Sequence, residues 1–214
     1  MWIINFLLAL LVLFLVTIPP ALIMSYRENR RRTAAHEAGH AVVGWHLPVI
    51  LKVKEIEIRA SPFKADGCTR VEFDHDAETC DHCWQAVVMF MAGLAGEYFC
   101  LDEANPDDCG TDHARARDAI DELVRRCLFE CATREPCAAF RRRPTGAAAL
   151  DVATAFRCQD TRAGEILNAA FARAFQLIEE NSDVFSNLTQ RLLVKETIDA
   201  TELEAVLGPR PDRE

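Results

Sequence analysis

The sequence predicts an α+β chain that is mainly α-helical. One transmembrane helix is followed by a helix with a His-Glu-x-x-His pattern, a small β-sheet beside it, and a C-terminal helical bundle. Three observations predict this. An apolar run without a charge extends from Trp2 to Met24. The stretch RRTAAHEAGHAVVGWHLP, Arg31 to Pro48, sets His36 and His40 four apart among Ala, Gly and Val, which places both rings on one helix face. Two segments of alternating apolar and polar residues come next, and most of the remaining chain has helical periodicity.

The 214 residues suffice for one packed domain and a small extra element. With 33 acidic against 24 basic residues and a net charge of −9, the chain is poorly suited to a phosphate backbone, so nucleic acid is not an expected partner. No internal repeat or low-complexity tract is present. The nine cysteines, among them Cys100, Cys127 and Cys131, lie mostly in apolar or helical stretches. They read as reduced thiols in a reducing compartment rather than as a disulfide scaffold.

In chain order, residues 1–25 are expected to be a membrane anchor, since about 20 apolar residues match a bilayer core. A cleaved secretory signal would need a basic stretch before the core, a shorter core and a small-residue cleavage site. Pro19 and Pro20 predict a kink or fraying near the exit end. Residues 26–32 are expected to be a basic juxtamembrane linker. Arg27, Arg30, Arg31 and Arg32 place the following domain in the cytoplasm by the positive-inside rule, giving a single-pass membrane protein. The folded domain is expected over 33–208 and a disordered tail over 209–214.

Within the domain, a helix is expected from Thr33 to about Trp45, closed by Pro48. ILKVKEIEIRA and CTRVEF alternate as half-buried strands, with SPFKADG as the turn between them. Asp81 to about Cys100 reads as a buried helix, and Glu97 argues against a second membrane span. LDEANPDDCG is a loop, and a helix runs from Thr111 to about Cys131. After a break at TREPCAAFRRRPTG, helices are expected near Ala147–Phe156, Thr161–Glu180, Val184–Lys195 and Thr201–Leu207.

Neutral imidazoles at His36 and His40 suit Zn2+, which keeps a position open for water in a catalytic site. Glu37, beside the first imidazole, can take the proton of that water and pass it to a leaving amine. A third ligand has three contenders. His46 stands where the metzincin pattern has its third histidine, but that pattern needs Gly where Val43 stands. Glu97, in MAGLAGEYF, would make a gluzincin-like site. Asp112, in CGTDHARARDAI, sits where a loop becomes a helix, a place also explained by capping. A separate cluster, HDAETCDHC, holds His75, Cys80, His82 and Cys83. A Cys-x-x-Cys pair of this kind reads as ordinary thiols ahead of a structural zinc or redox site.

TAAHEAGHAVVGW, MAGLAGEYF and CGTDHARARDAI, in that order, resemble the FtsH-type, or M41, peptidase domain. The closing ILNAAFARAFQLIEENSDVFSNLTQRLLVKETIDATELEAVL is also similar to it, so the resemblance covers about Thr33 to Leu207. It implies a zincin-like, zinc-dependent endopeptidase acting on protein or peptide substrates. His36 and His40 match the histidine ligands, Glu37 the catalytic glutamate and Asp112 the aspartate ligand. Glu97 ranks second, as a helper or alternative ligand, and His46 third. FtsH proteins carry an ATPase module, and these residues contain no G-x-x-x-x-G-K-[ST] phosphate loop. The ATPase module helps build the family's ring, so its absence from these residues counts against that assembly; the associations the resemblance leaves open are a homo-oligomer or an FtsH-type ATPase partner. Two other classes stay open: a non-catalytic adaptor of an FtsH-type protease, and a structural zinc domain with four protein ligands. Pro136–Gly146 has no counterpart in the resemblance.

Overall fold

A computed structural model describes residues 2–60, 65–74, 79–104, 110–130, 151–156, 158 and 160–211. The elements are α1 (Trp2–His46), β1 (Ile50–Ala60), β2 (Ala65–Phe73), α2 (Cys80–Leu101), α3 (Gly110–Glu130), α4 (Val152–Ala155), α5 (Thr161–Glu180), α6 (Ser182–Lys195), β3 (Thr197–Asp199) and α7 (Ala200–Leu207). β1, β2, α2, α3, α5, α6 and α7 lie close to the bounds that periodicity predicts. The break at 133–146 and the first residues of the helix expected from Ala147 fall outside the described residues.

The apolar run and the His-Glu-x-x-His helix are one element, because α1 is continuous through Pro19, Pro20 and residues 26–32. The arginines after the apolar run bind the domain. Arg30 donates to the Leu193 carbonyl at 2.8 Å and pairs with Glu196 at 3.0 Å. Arg31 donates to the Cys100 carbonyl at 3.3 Å, and Arg32 reaches Glu97 at 3.0 Å and Glu103 at 2.5 Å. Basic residues selected by a flanking-charge rule thus also fasten α1 to α2 and to the end of α6.

α2 is the central helix and packs against α1, α3 and α5. By length and composition it could cross a membrane, yet Val87, Val88, Met91, Ala92, Leu94 and Ala95 are buried inside the fold. The crossing of α1 and α2 is backbone-close. A Cβ on Gly39 would stand 2.4 Å from the Ala92 carbonyl oxygen, and one on Gly96 would stand 2.3 Å from that of Ala35. On the far side of α2, α5 contributes Ile166, Leu167, Ala170, Phe171, Ala174 and Ile178 to the core. Edge-to-face contacts of Phe99 with Phe175 and Phe185 link α2 to α5 and α6.

The sheet has the order β2-β1-β3, antiparallel throughout, with Val53 opposite Val71 and Ile56 opposite Ile198. The pairing of β1 with β2 shifts register between Ile50 and Lys52 and between Val53 and Glu55, near the start of β1. β3 is absent from the sequence reading, because a three-residue strand with one apolar position carries no periodicity. It is held by the left-handed cap at Glu196 (φ 64°), whose carbonyl accepts from Ile58 N–H at 2.8 Å.

The chain returns to α1 at its end. Arg210, within the expected tail 209–214, donates to the carbonyls of Gly44, Trp45, Leu47, Ile50 and Leu51 and lies over the Trp45 ring. Carbonyls left over at a helix C-terminus attract a cation, which is the physical reason this residue is held. Residues 212–214 fall outside the described ones.

Candidate metal centre

His36 and His40 sit one turn apart on α1, facing α2 and α3. Each ring is oriented by its outer nitrogen. His36 Nδ1 lies 2.8 Å from Glu97 Oε1, and His40 Nδ1 lies 2.9 Å from the Met89 carbonyl oxygen. An N–H donated to these acceptors leaves both Nε2 lone pairs for the other side. There Asp112 arrives from the first turn of α3, whose buried Ala116, Ile120 and Leu123 pack the same face inward. Its Oδ2 is 3.2 Å from His36 Nε2 and 3.0 Å from His40 Nε2, and the two Nε2 atoms are 3.2 Å apart. The three donor atoms lie within 4.8 Å of one another, and they are the one such group among the described residues. Beside Asp112, His113 stacks on Phe156 at 4.1 Å between ring centroids, tying α3 to α4.

α2 closes over this cluster at Gly93, where a Cβ would stand 2.3 Å from His36 Nε2. The electrostatics fit a cation. Burial opposes a charge on His36, but its hydrogen bonds with Asp112 and Glu97 and the charges of Glu37 and Glu97 outweigh that and push it up to about 10. Burial would raise the Asp112 carboxyl. The charge of His40 and hydrogen bonds from both imidazoles overcome this and hold it well below the usual carboxylate range. Two imidazoles and one carboxylate are a donor set suited to Zn2+.

Glu37 is 6 % exposed, and its Oε2 accepts from the Thr69 hydroxyl of β2 at 2.6 Å. Glu97 is 1 % exposed and lies behind His36, on Nδ1 rather than beside the two Nε2 atoms. His46 is not in the cluster, and its Nδ1 lies 2.8 Å from the Val42 carbonyl oxygen of its own helix. In the Cys-x-x-Cys cluster, Cys80 is buried in the core and Cys83 packs against it. His82 Nδ1 lies 2.6 Å from Thr79 Oγ1, and His75 falls outside the described residues. Sequence reasoning missed Arg32, the Met89 carbonyl and Thr69. The spacing of Arg32 four before His36 and the period-2 relation of Thr69 to the core-packed Val71 and Phe73 were the available signals.

Fold and site together define a class: a mainly helical domain with a small antiparallel sheet, whose His-Glu-x-x-His helix and a third helix bring two imidazoles and a carboxylate to one point. The chain belongs to peptidase family M41, whose family model matches residues 23–206. It is similar to the ATP-dependent zinc metalloprotease FtsH 1 of Sorangium cellulosum, with 30% identity over 193 residues, covering 84% of this chain and 30% of that protein. FtsH 1 of Thermomicrobium roseum is 30% identical over 201 residues, covering 88% of this chain and 30% of its own length. The mitochondrial inner membrane m-AAA protease component yta12 of Schizosaccharomyces pombe is 25% identical over 185 residues, covering 86% and 24%. The chain spans less than a third of the length of these relatives.

Proposed function

We propose that this chain is a membrane-anchored zinc metalloendopeptidase that hydrolyses peptide bonds in unfolded or membrane-associated proteins. The observation that carries this reading is the convergence of His36 Nε2, His40 Nε2 and Asp112 Oδ2, each within 3.2 Å of the others, one residue away from a buried glutamate. In a member of family M41, that cluster is read as the zinc site, with His36, His40 and Asp112 as ligands.

Bound there, zinc would supply Lewis acidity to the scissile carbonyl and lower the pKa of a water. The chain's residues supply the rest. Glu37 takes a proton from the attacking water and delivers it to the leaving amine nitrogen. Glu97 and the Met89 carbonyl hold the two imidazoles with Nε2 inward, and Arg32 stabilises the charge on Glu97. Residues 1–25 form the anchor, 26–32 continue the helix to the domain over 33–208, and the domain lies on the cytoplasmic side. Support for a membrane setting is the uncharged run at the start of α1, together with similarity to a protein named as an inner-membrane protease component.

Opening a folded substrate costs about 5–15 kcal/mol, which zinc chemistry on an extended backbone does not supply. Folded proteins therefore require an FtsH-type ATPase partner. The test is incubation of the purified chain with an unfolded model protein and no ATP. Cleavage that a chelator stops and zinc restores is expected. A zinc-loaded chain that leaves the unfolded protein intact overturns the reading.

A further inference from the structure

We propose that Thr69 is a positioning residue for Glu37: its hydroxyl ties down Oε2 and leaves Oε1 as the oxygen that exchanges the proton with the reacting water. The role rests on the peptidase reading above. It is carried by the way β2 lies against α1. Thr69 Oγ1 donates its single proton to Glu37 Oε2 at 2.6 Å and lies 3.1 Å from the Glu37 backbone oxygen, which places the hydroxyl directly against this turn of the helix. A hydroxyl donated to a carboxylate is short and strong, and at a buried site it replaces the water that would otherwise let the carboxylate turn.

Two residues earlier on the same strand face stands Gly67. A Cβ there would lie 2.4 Å from Glu37 Oε1, 2.7 Å from its Cγ and 2.8 Å from Thr33 Cγ2. Only a residue without a side chain lets the strand come this close to the Glu37 carboxylate. Oε1 accepts no hydrogen bond from the described protein groups. The two oxygens of one carboxylate thus have different tasks. In the reaction, an O–H bond of water breaks as Oε1 takes the proton and the water oxygen bonds to the scissile carbonyl carbon. The Oε1–H bond then breaks as the proton forms an N–H bond on the amine, and the C–N bond breaks to release it. The Thr69 hydroxyl keeps its own proton throughout and stops the carboxyl from rotating between the two transfers.

The test compares the full chain with Thr69→Val and Thr69→Ser, each loaded with zinc. Thr69→Val is expected to lower kcat about 10- to 100-fold, the scale on which a misplaced catalytic group costs rate, with KM and zinc content little changed. Thr69→Ser restores most of the rate. Independently of activity, thermal unfolding in chelator is measured for Thr69→Val with Glu37 intact and in a Glu37→Met background. The drop in Tm is expected to be larger with Glu37 intact, because the carboxylate has then lost its donor. A wild type that cleaves beside an equally fast Thr69→Val overturns the role of Thr69, as does failure of serine to rescue. A zinc-loaded wild type that cleaves nothing overturns the peptidase reading instead. Equal drops in both backgrounds overturn the Thr69–Glu37 tie whatever the activity.

Discussion

Nδ1 of His36 stands 2.8 Å from Oε1 of Glu97, and Arg32 holds the other oxygen of that carboxylate at 3.0 Å. The chain Arg32–Glu97–His36 runs within two helices and ends on the side of the ring away from Asp112. A carboxylate there fixes the imidazole tautomer and makes Nε2 a better donor. Glu97→Gln is therefore expected to weaken zinc binding about 10- to 100-fold, the scale typical for such supporting residues. Its amide has a single oxygen, so it can accept from His36 or from Arg32 but not from both, and the charge is lost. Competition with a chromophoric chelator measures this, and an unchanged affinity would show that the ring needs no such support.

Asp112→Ala is expected to lower zinc content and peptide hydrolysis together, since among the described residues its Oδ2 is the carboxylate oxygen beside both Nε2 atoms. His46→Ala should leave zinc in place, because that ring is bonded to its own helix. Glu37→Gln should abolish hydrolysis with zinc retained. Metal analysis and a peptide assay on the three variants check the assignment, and zinc lost from His46→Ala but kept in Asp112→Ala would reverse it.

Removal of the metal gives a pH dependence. His36 is pushed up to about 10 in the folded chain, against an ordinary value near 6.5. A raised value stabilises the fold fully below the unfolded pKa, and that contribution is lost as pH climbs through the folded one. The metal-free protein should therefore lose Tm as pH rises from about 6.5 to 10. Asp112 moves the other way, so its contribution is present above the ordinary carboxylate range and is lost only in acid. At pH 7 zinc uptake should expel a proton from His36. Melting curves in chelator and calorimetry in buffers of different ionisation enthalpy read both effects.

Arg210→Ala removes a donor from five carbonyls at the end of α1, in the turn after it and at the start of β1. Leaving these partly buried acceptors without their donors costs about 1–3 kcal/mol. Chemical denaturation should show that loss for Arg210→Ala and for a chain ended at Gly208 alike. Full stability in the shortened chain would mean that water serves those carbonyls as well.

Local periodicity carried much of the fold. The alternation in Ile50–Ala60, the apolar length of α2 and the periodicity of Thr161–Glu180 each depend on neighbours a few residues apart, so the sequence alone determined them. The same holds for His36, Glu37 and His40, whose mutual placement is set by one helical turn. Tertiary structure decided everything that joins distant segments. It brought Asp112 of α3 beside both Nε2 atoms, put Glu97 behind His36, and left His46 on its own helix. All three were open from spacing alone, because no local rule relates α1 to the first turn of α3. It also made residues 26–32 part of a continuous helix, added β3, and carried Arg210 back to the end of α1. The placements of Asp112, Glu97, β3 and Arg210 depend on contacts across more than 60 residues of chain, where side-chain packing and the demand of buried polar groups for partners act, and sequence periodicity does not reach.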